Sequence, residues 1–112
     1  MAWIMENRGR LLENVVAVEL FRRRRRAFYY KGTNECDFVI QEGTRVVEAW
    51  QVCWELTPSN EKRELAGLAE AMRELGVPRG GILTYAQEGT RKIEGKTMPI
   101  LPVWKWLLNA AV

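Results

Sequence analysis

Apolar residues recur at helical spacing near the start of the chain. Leu11, Leu12, Val15, Val16 and Leu20 follow the spacing of one helix face, which predicts a first helix from about Gly9 to Arg25. Its basic end suits the negative pole of a helix dipole. The pattern then turns to short segments. Ala27–Lys31 carries Phe28, Tyr29 and Tyr30 and reads as a strand. Gly32, Thr33 and Asn34 form a turn signal, and Cys36–Gln41 is a second strand. Glu42, Gly43 and Thr44 read as a hairpin turn before a long third strand, Arg45–Leu56, rich in Val and Trp.

Thr57, Pro58, Ser59 and Asn60 offer capping residues for a second helix, and Gly76 supplies its stop. Leu65, Leu68, Ala69, Met72 and Leu75 form its apolar stripe. Gly81–Tyr85 predicts a short buried strand, Ala86–Thr97 a loop or an exposed hairpin, and Met98–Leu101 a last strand. Pro102 is placed to open a terminal helix through Leu108 at its first position. The expected order is α-β-β-β-α-β-β-α. That is an α/β fold: a mixed sheet with helices packed on it, in a single domain over residues 1–112.

Composition narrows the function classes. The chain has 112 residues, 47% of them hydrophobic and five of them Trp, enough for one core without staples. No apolar run reaches the ~18 residues of a membrane span. With two Cys and no secretory pattern at the start, the expectation is a reducing, cytoplasmic setting without a disulfide framework. There is no His, which excludes Ser-His-Asp and Cys-His triads and His-containing zinc sites. Catalysis would have to use carboxylates, Lys, Tyr or a hard metal. The net charge of +3 matters less than its distribution, because Arg22, Arg23, Arg24, Arg25 and Arg26 form one run. With Lys31, that run is a candidate nucleic-acid-binding segment. It reads equally as a solvated helix end.

Three elements could bring carboxylates together. The first helix offers Glu13 and Glu19, and the second strand offers Asp37. On the third strand Gln51, Cys53 and Glu55 share one face by the period of two. A metal-dependent phosphodiesterase needs such oxygen ligands for Mg²⁺ and a cation near the phosphate. This order of residues resembles the PD-(D/E)XK nuclease core: a helix with Glu, a hairpin strand with Asp, a strand with Glu-x-Lys, then a second helix. More closely, it is similar to the C-terminal domain of unknown function of archaeal and bacterial AAA+ ATPases. The residues that carry this likeness are Gly9–Val16, Tyr29–Tyr30, the Cys36–Val39 segment and Pro102–Leu108.

The resemblance implies a restriction endonuclease-like core. In it Glu13 is the helix carboxylate, Asp37 the central metal ligand and Gln51 the third ligand, while Cys53 stands where the lysine belongs. Glu13 and Asp37 would then hold Mg²⁺ weakly. Loss of such an electrostatic stabiliser costs about 10²–10³ in rate. Lys62 or Lys31 could restore the charge, and Glu19 or Glu55 a carboxylate.

The expected function is a catalytically inactive nuclease-like domain that binds nucleic acid or docks to an ATPase, upstream in a longer chain or in trans. Two rivals stay open: an active Mg²⁺-dependent DNA or RNA nuclease with migrated residues, and a protein-interaction or homodimerisation module. Trp104 and Trp106 cannot both be buried on one narrow helix face, so one is expected to be exposed. Trp3 and Met5 add apolar residues ahead of the expected helix. Gly95, Lys96 and Thr97 look like the end of a phosphate-binding loop, but Thr90 replaces the required Gly and Pro99 blocks the following helix. This chain is therefore not expected to be an ATPase itself.

Overall fold

The computed structural model describes residues 2–109, with side chains described from Asn7 onward. Helix α1 spans Ala2–Arg22 and is followed by strands β1 (Arg26–Lys31), β2 (Glu35–Glu42) and β3 (Arg45–Val52). Helix α2 (Glu61–Leu75) leads to β4 (Arg79–Thr84), β5 (Gly89–Ile93) and β6 (Lys96–Pro102), and α3 (Val103–Leu108) closes the order. The six strands form one sheet in the order β1-β2-β3-β4-β6-β5. The β1–β2, β2–β3 and β5–β6 pairs are antiparallel, while β3–β4 and β4–β6 are parallel. The mixed α/β architecture is thus the one expected.

Its faces follow the strand alternation apart from a bulge in β2, which puts Cys36 and Val39 on one face. Cys36, Val39, Ala49 and Ile82 pack with Leu68, Ala71 and Met72 of α2. On the other face Ile40, Val52 and Leu83 pack with Leu12, Val16 and Leu20 of α1 and with Val103 and Trp106 of α3. Gly67 lets α2 approach closely, since any side chain there would collide with the Glu35 carbonyl of β2.

Several boundaries differ from expectation. Of the two readings of Ala86–Thr97, loop or exposed hairpin, the hairpin holds, formed by β5 and β6, and counting β5 makes the order α-β-β-β-α-β-β-β-α. The reason lies in its turn. Glu94 and Gly95 both adopt positive φ, 49° and 83°, as a two-residue hairpin connection requires. Helix α1 begins at Ala2 rather than near Gly9, because a single Gly lowers helix stability without breaking it. The side chains of Trp3 and Met5 lie outside the described residues. Strand β3 stops at Val52, short of Leu56. Pro102 is the last residue of β6 and caps α3 from outside rather than opening it.

The first helix also ends at Arg22 instead of Arg25. Arg24 takes a left-handed conformation with φ 59°. The Arg25 N–H donates to the Leu20 carbonyl and the Arg24 N–H to the Phe21 carbonyl, each at 2.9 Å. This is a Schellman closure with Arg where Gly is usual. The Arg run is therefore divided between a helix end, a turn and the first residue of β1. Of the two terminal Trp residues, Trp106 is buried and Trp104 is 54% exposed. Among the described residues no helix is long and apolar enough to cross a membrane.

Candidate functional site

Strands β2 and β3 pair as far as Phe38 and Trp50 and then diverge. At that fork two side chains replace the missing backbone ladder. The Asp37 N–H donates to Gln51 Oε1 at 2.9 Å, and the Val52 N–H donates to Asp37 Oδ2 at 2.8 Å. Each residue caps the strand that carries the other. The fork opens into a cavity of about 670 Å³ between α1, the ends of β2 and β3, and the start of α2. Glu13, Asp37, Gln51, Cys53 and Glu55 all line it. The topology thus brings together the four residues proposed from the sequence as site positions.

The cavity also holds a carboxylate that the sequence reading missed. Glu64, in the first turn of α2, faces Asp37 and Glu13 across the floor. Acidic residues are common in a first helical turn, where they complement the dipole, so nothing local marked Glu64 as a pocket residue.

The floor is electrostatically crowded. Burial, followed by the facing Asp37, pushes the Glu13 carboxyl up to about 7. The Glu13–Asp37 side-chain interaction raises Glu13 and offsets part of the rise of Asp37. Burial also raises Asp37, against the opposing pull of the Val52 N–H. Glu64 is raised by burial and by the charge of Asp37. Cations stand at the edge: Arg10 from α1 and Arg63 from α2 line the same cavity. The Arg8 guanidinium lies 5.2 Å from the Trp54 ring centre at its mouth.

Gln51 and Cys53, expected as third ligand and in place of the lysine, are both held by the fold. Gln51 is 2% exposed. Its oxygen accepts from Asp37, and its Nε2 donates to the Glu35 carbonyl at 2.8 Å and the Glu64 carbonyl at 2.9 Å. The amide joins β2, β3 and α2, with both of its N–H groups used and its oxygen held by the Asp37 N–H. Cys53 belongs to the hydrophobic core, and desolvation pushes its thiol up to about 12. It is neither a cation nor a thiolate.

The proposed substitutes separate clearly. Glu55 reaches the cavity wall from beyond the end of β3, so the regular alternation expected there does not apply. Glu19 does not line the cavity; it pairs with Arg22 at 2.6 Å and Arg23 at 2.8 Å. Lys62 points into a different groove with Leu56, Pro58 and Arg91. Lys31 is exposed on β1 and is not part of the cavity lining. Among the described residues no three Asp, Glu or Cys side chains converge as metal ligands. Mg²⁺ demands near-octahedral oxygen ligands, and here the Gln51 oxygen and one Asp37 oxygen are each already held by a backbone N–H.

The Arg run is largely tied into the fold. Arg22 and Arg23 hold Glu19, and Arg23 also stacks 4.3 Å above Trp106. Arg25 bridges Glu42 and Glu48, both at 3.1 Å. Arg24 and Arg26 are exposed, with no carboxylate in ion-pair reach among the described residues.

Residues 8–106 match the family described as Domain of unknown function (DUF4143). The chain is also similar to an uncharacterized protein of the archaeon Methanocaldococcus jannaschii, MJ1544, at 38% identity over 93% of this chain. It spans 26% of the length of that relative, which carries further polypeptide. No solved structure matches the chain.

Proposed function

We propose, since the chain belongs to the DUF4143 family and its cavity gathers the Glu13, Asp37, Gln51 and Cys53 positions, that it is a nuclease-like domain without catalysis that binds nucleic acid. One observation carries this reading. The two positions where a PD-(D/E)XK enzyme needs a carboxylate and a lysine hold Gln51 and Cys53, and both are taken up by the fold. A neutral amide and a buried thiol supply no charge to a phosphate. Arg63 and Arg10 at the edge, and Arg24 and Arg26 elsewhere, supply positive charge for backbone contact instead. An ATPase partner, in a longer chain or in trans, follows from the family resemblance alone.

The test is a titration of labelled single-stranded, duplex and branched DNA at two salt concentrations with Mg²⁺ or Mn²⁺ present. Anisotropy reports binding and a gel reports the fate of the DNA. The expected outcome is salt-sensitive binding with intact DNA. Metal-dependent cleavage that Asp37→Ala abolishes would replace this reading with an active nuclease.

A docking role has its own support. Helix α1 is apolar on two sides: Leu12, Val16 and Leu20 face the sheet, while Leu11, Val15, Val18 and Phe21 are 63%, 43%, 67% and 85% exposed. A helix apolar on both sides is usually covered on both. Concentration-dependent dimerisation that Val18→Asp abolishes would identify a second copy as the cover.

A further inference from the structure

The cavity mouth carries an aromatic arrangement that the carboxylate floor does not explain. Tyr85 and Trp54 stack with ring centres 4.1 Å apart and planes 9° from parallel. A hydrogen bond of 3.0 Å from the Tyr85 N–H to the Trp54 carbonyl fixes the two backbones. Trp54 is partly buried and lines the acidic cavity. Tyr85 is 54% exposed and turns toward an adjoining groove of about 420 Å³.

That groove has a distinctive wall. Its apolar lining is Leu12, Ala86, Val103 and Leu107, and Tyr85 and Trp104 are its aromatic residues. Trp104 is also 54% exposed. Cations attend both aromatic positions. Arg8 lies over Trp54, and Lys105 Nζ lies 5.6 Å from the Trp104 ring centre while pairing with Glu88. The groove therefore joins an apolar lining and two exposed aromatic rings, with Lys105 beside Trp104.

These features together fit one class of ligand. A flat aromatic body can extend the Trp54–Tyr85 stack on the free face of Tyr85. A negatively charged chain attached to it can pass Lys105 beside Trp104 and, further along, Arg8 beyond the far face of Trp54. An unpaired nucleotide has both parts, and sequence-tolerant single-strand binders combine stacking rings with cations in this way. A base inside a duplex keeps both its faces covered and cannot enter such a stack.

We propose that the Tyr85–Trp104 groove is a stacking site for an unpaired nucleobase, so that the domain prefers single-stranded or unpaired nucleic acid. This rests on the nucleic-acid reading above and names the form of nucleic acid and the residues that hold it. Tyr85 is the stacking residue, Trp54 holds Tyr85 flat, and Trp104 bounds the opposite side.

The experiment is anisotropy of a fluorescein-labelled oligothymidylate and of an abasic strand of equal length, at low salt, with wild type, Tyr85→Ala, Tyr85→Phe and Trp104→Ala. Thermal melting of each variant confirms that the fold is kept. Tyr85→Ala is expected to weaken oligothymidylate binding roughly fivefold or more, the size of one lost base–aromatic stack. Tyr85→Phe keeps the ring and should bind as wild type does. On the abasic strand wild type and Tyr85→Ala should bind alike. Equal binding of oligothymidylate by wild type and Tyr85→Ala would overturn the stacking site while leaving nucleic-acid binding intact. Absence of wild-type binding to any strand at low salt would overturn both.

Discussion

Glu13 and Glu19 are the same residue type on the same helix, fewer than two turns apart, and their environments are opposite. Glu13 meets Asp37 and Glu64 in a partly buried floor, and its carboxyl rises to about 7. Glu19 receives hydrogen bonds from Arg22 and Arg23 and falls to about 2. One end of α1 thus concentrates carboxylates without enough cations. The other end concentrates guanidiniums and satisfies most of them: Glu48 alone accepts from Arg25 and from Trp50 Nε1 and faces Arg79 at 3.6 Å. A structural ion network brings opposite charges together. A carboxylate cluster that is only partly neutralised, by Arg63 on Glu64 at 3.3 Å, is more informative, because perturbed carboxylates gather where a ligand or a proton is handled.

The largest expected effect comes from breaking the acidic end at its scaffold. Gln51→Ala leaves the Asp37 N–H and the Glu35 and Glu64 carbonyls without their partner. Unsatisfied buried groups and a cavity should together cost about 3 kcal/mol or more in chemical denaturation. Gln51→Glu, which restores the carboxylate that the nuclease resemblance implies, should destabilise as well. The new group cannot donate to two carbonyls and faces Asp37. Its cost should shrink on acidification, because a protonated Glu donates once and carries no charge. Wild-type stability for Gln51→Ala would show that the amide is not the joint between β2, β3 and α2.

A smaller effect separates the two glutamates by pH. For Glu13 the folded pKa lies above its ordinary 4.5, so the folded state binds more protons than the unfolded state between 4.5 and about 7. Stability should therefore fall as pH rises through that window and level off above it. After discounting for partial exposure the fall attributable to Glu13 is roughly 1–2 kcal/mol. Glu13→Gln should flatten it. Glu19 has the reverse sign. Its folded pKa is depressed, so its contribution is present above pH 4.5 and is lost as pH falls toward 2. Glu19→Gln should flatten only that acid limb. Urea midpoints measured across pH 2–8 for both variants check the two signs, and matching profiles would erase the contrast.

The sequence carried part of this contrast and not the rest. The fold class followed from periodicity, because helix faces and strand alternation record which side meets the core. The co-location of Glu13, Asp37, Gln51 and Cys53 followed from the element order, once it was matched to a known arrangement. Glu64 did not, since its role depends on how closely α2 sits on β2, a distance set by Gly67. The division of the Arg run was hidden for a similar reason. Five identical residues carry no signal of which one takes the left-handed turn, and pairing with Glu42 and Glu48 depends on a distant hairpin. Strand β5 was obscured by its polar composition, although the Glu94–Gly95 turn was visible.

The smallest effect tests the basic end. Arg24 holds φ 59°, where a side chain costs more than Gly does. Arg24→Gly should relieve that strain at the helix stop and raise stability by about 0.5–1 kcal/mol, net of the extra chain entropy. Arg24→Ala keeps the strain and should bring no gain, which isolates the backbone from the charge. The same pair of variants also reports on function. Arg24 is exposed and has no carboxylate partner among the described residues, whereas Arg22 is held by Glu19. If the turn contacts a phosphate backbone, both Arg24 variants lose about one unit of salt slope in DNA binding, while Arg22→Ala leaves the slope nearly unchanged. A stability gain without any change in slope would assign Arg24 to helix termination alone. Any nucleic-acid contact would then have to come from the stacking groove and from Arg10 and Arg63 at the cavity edge.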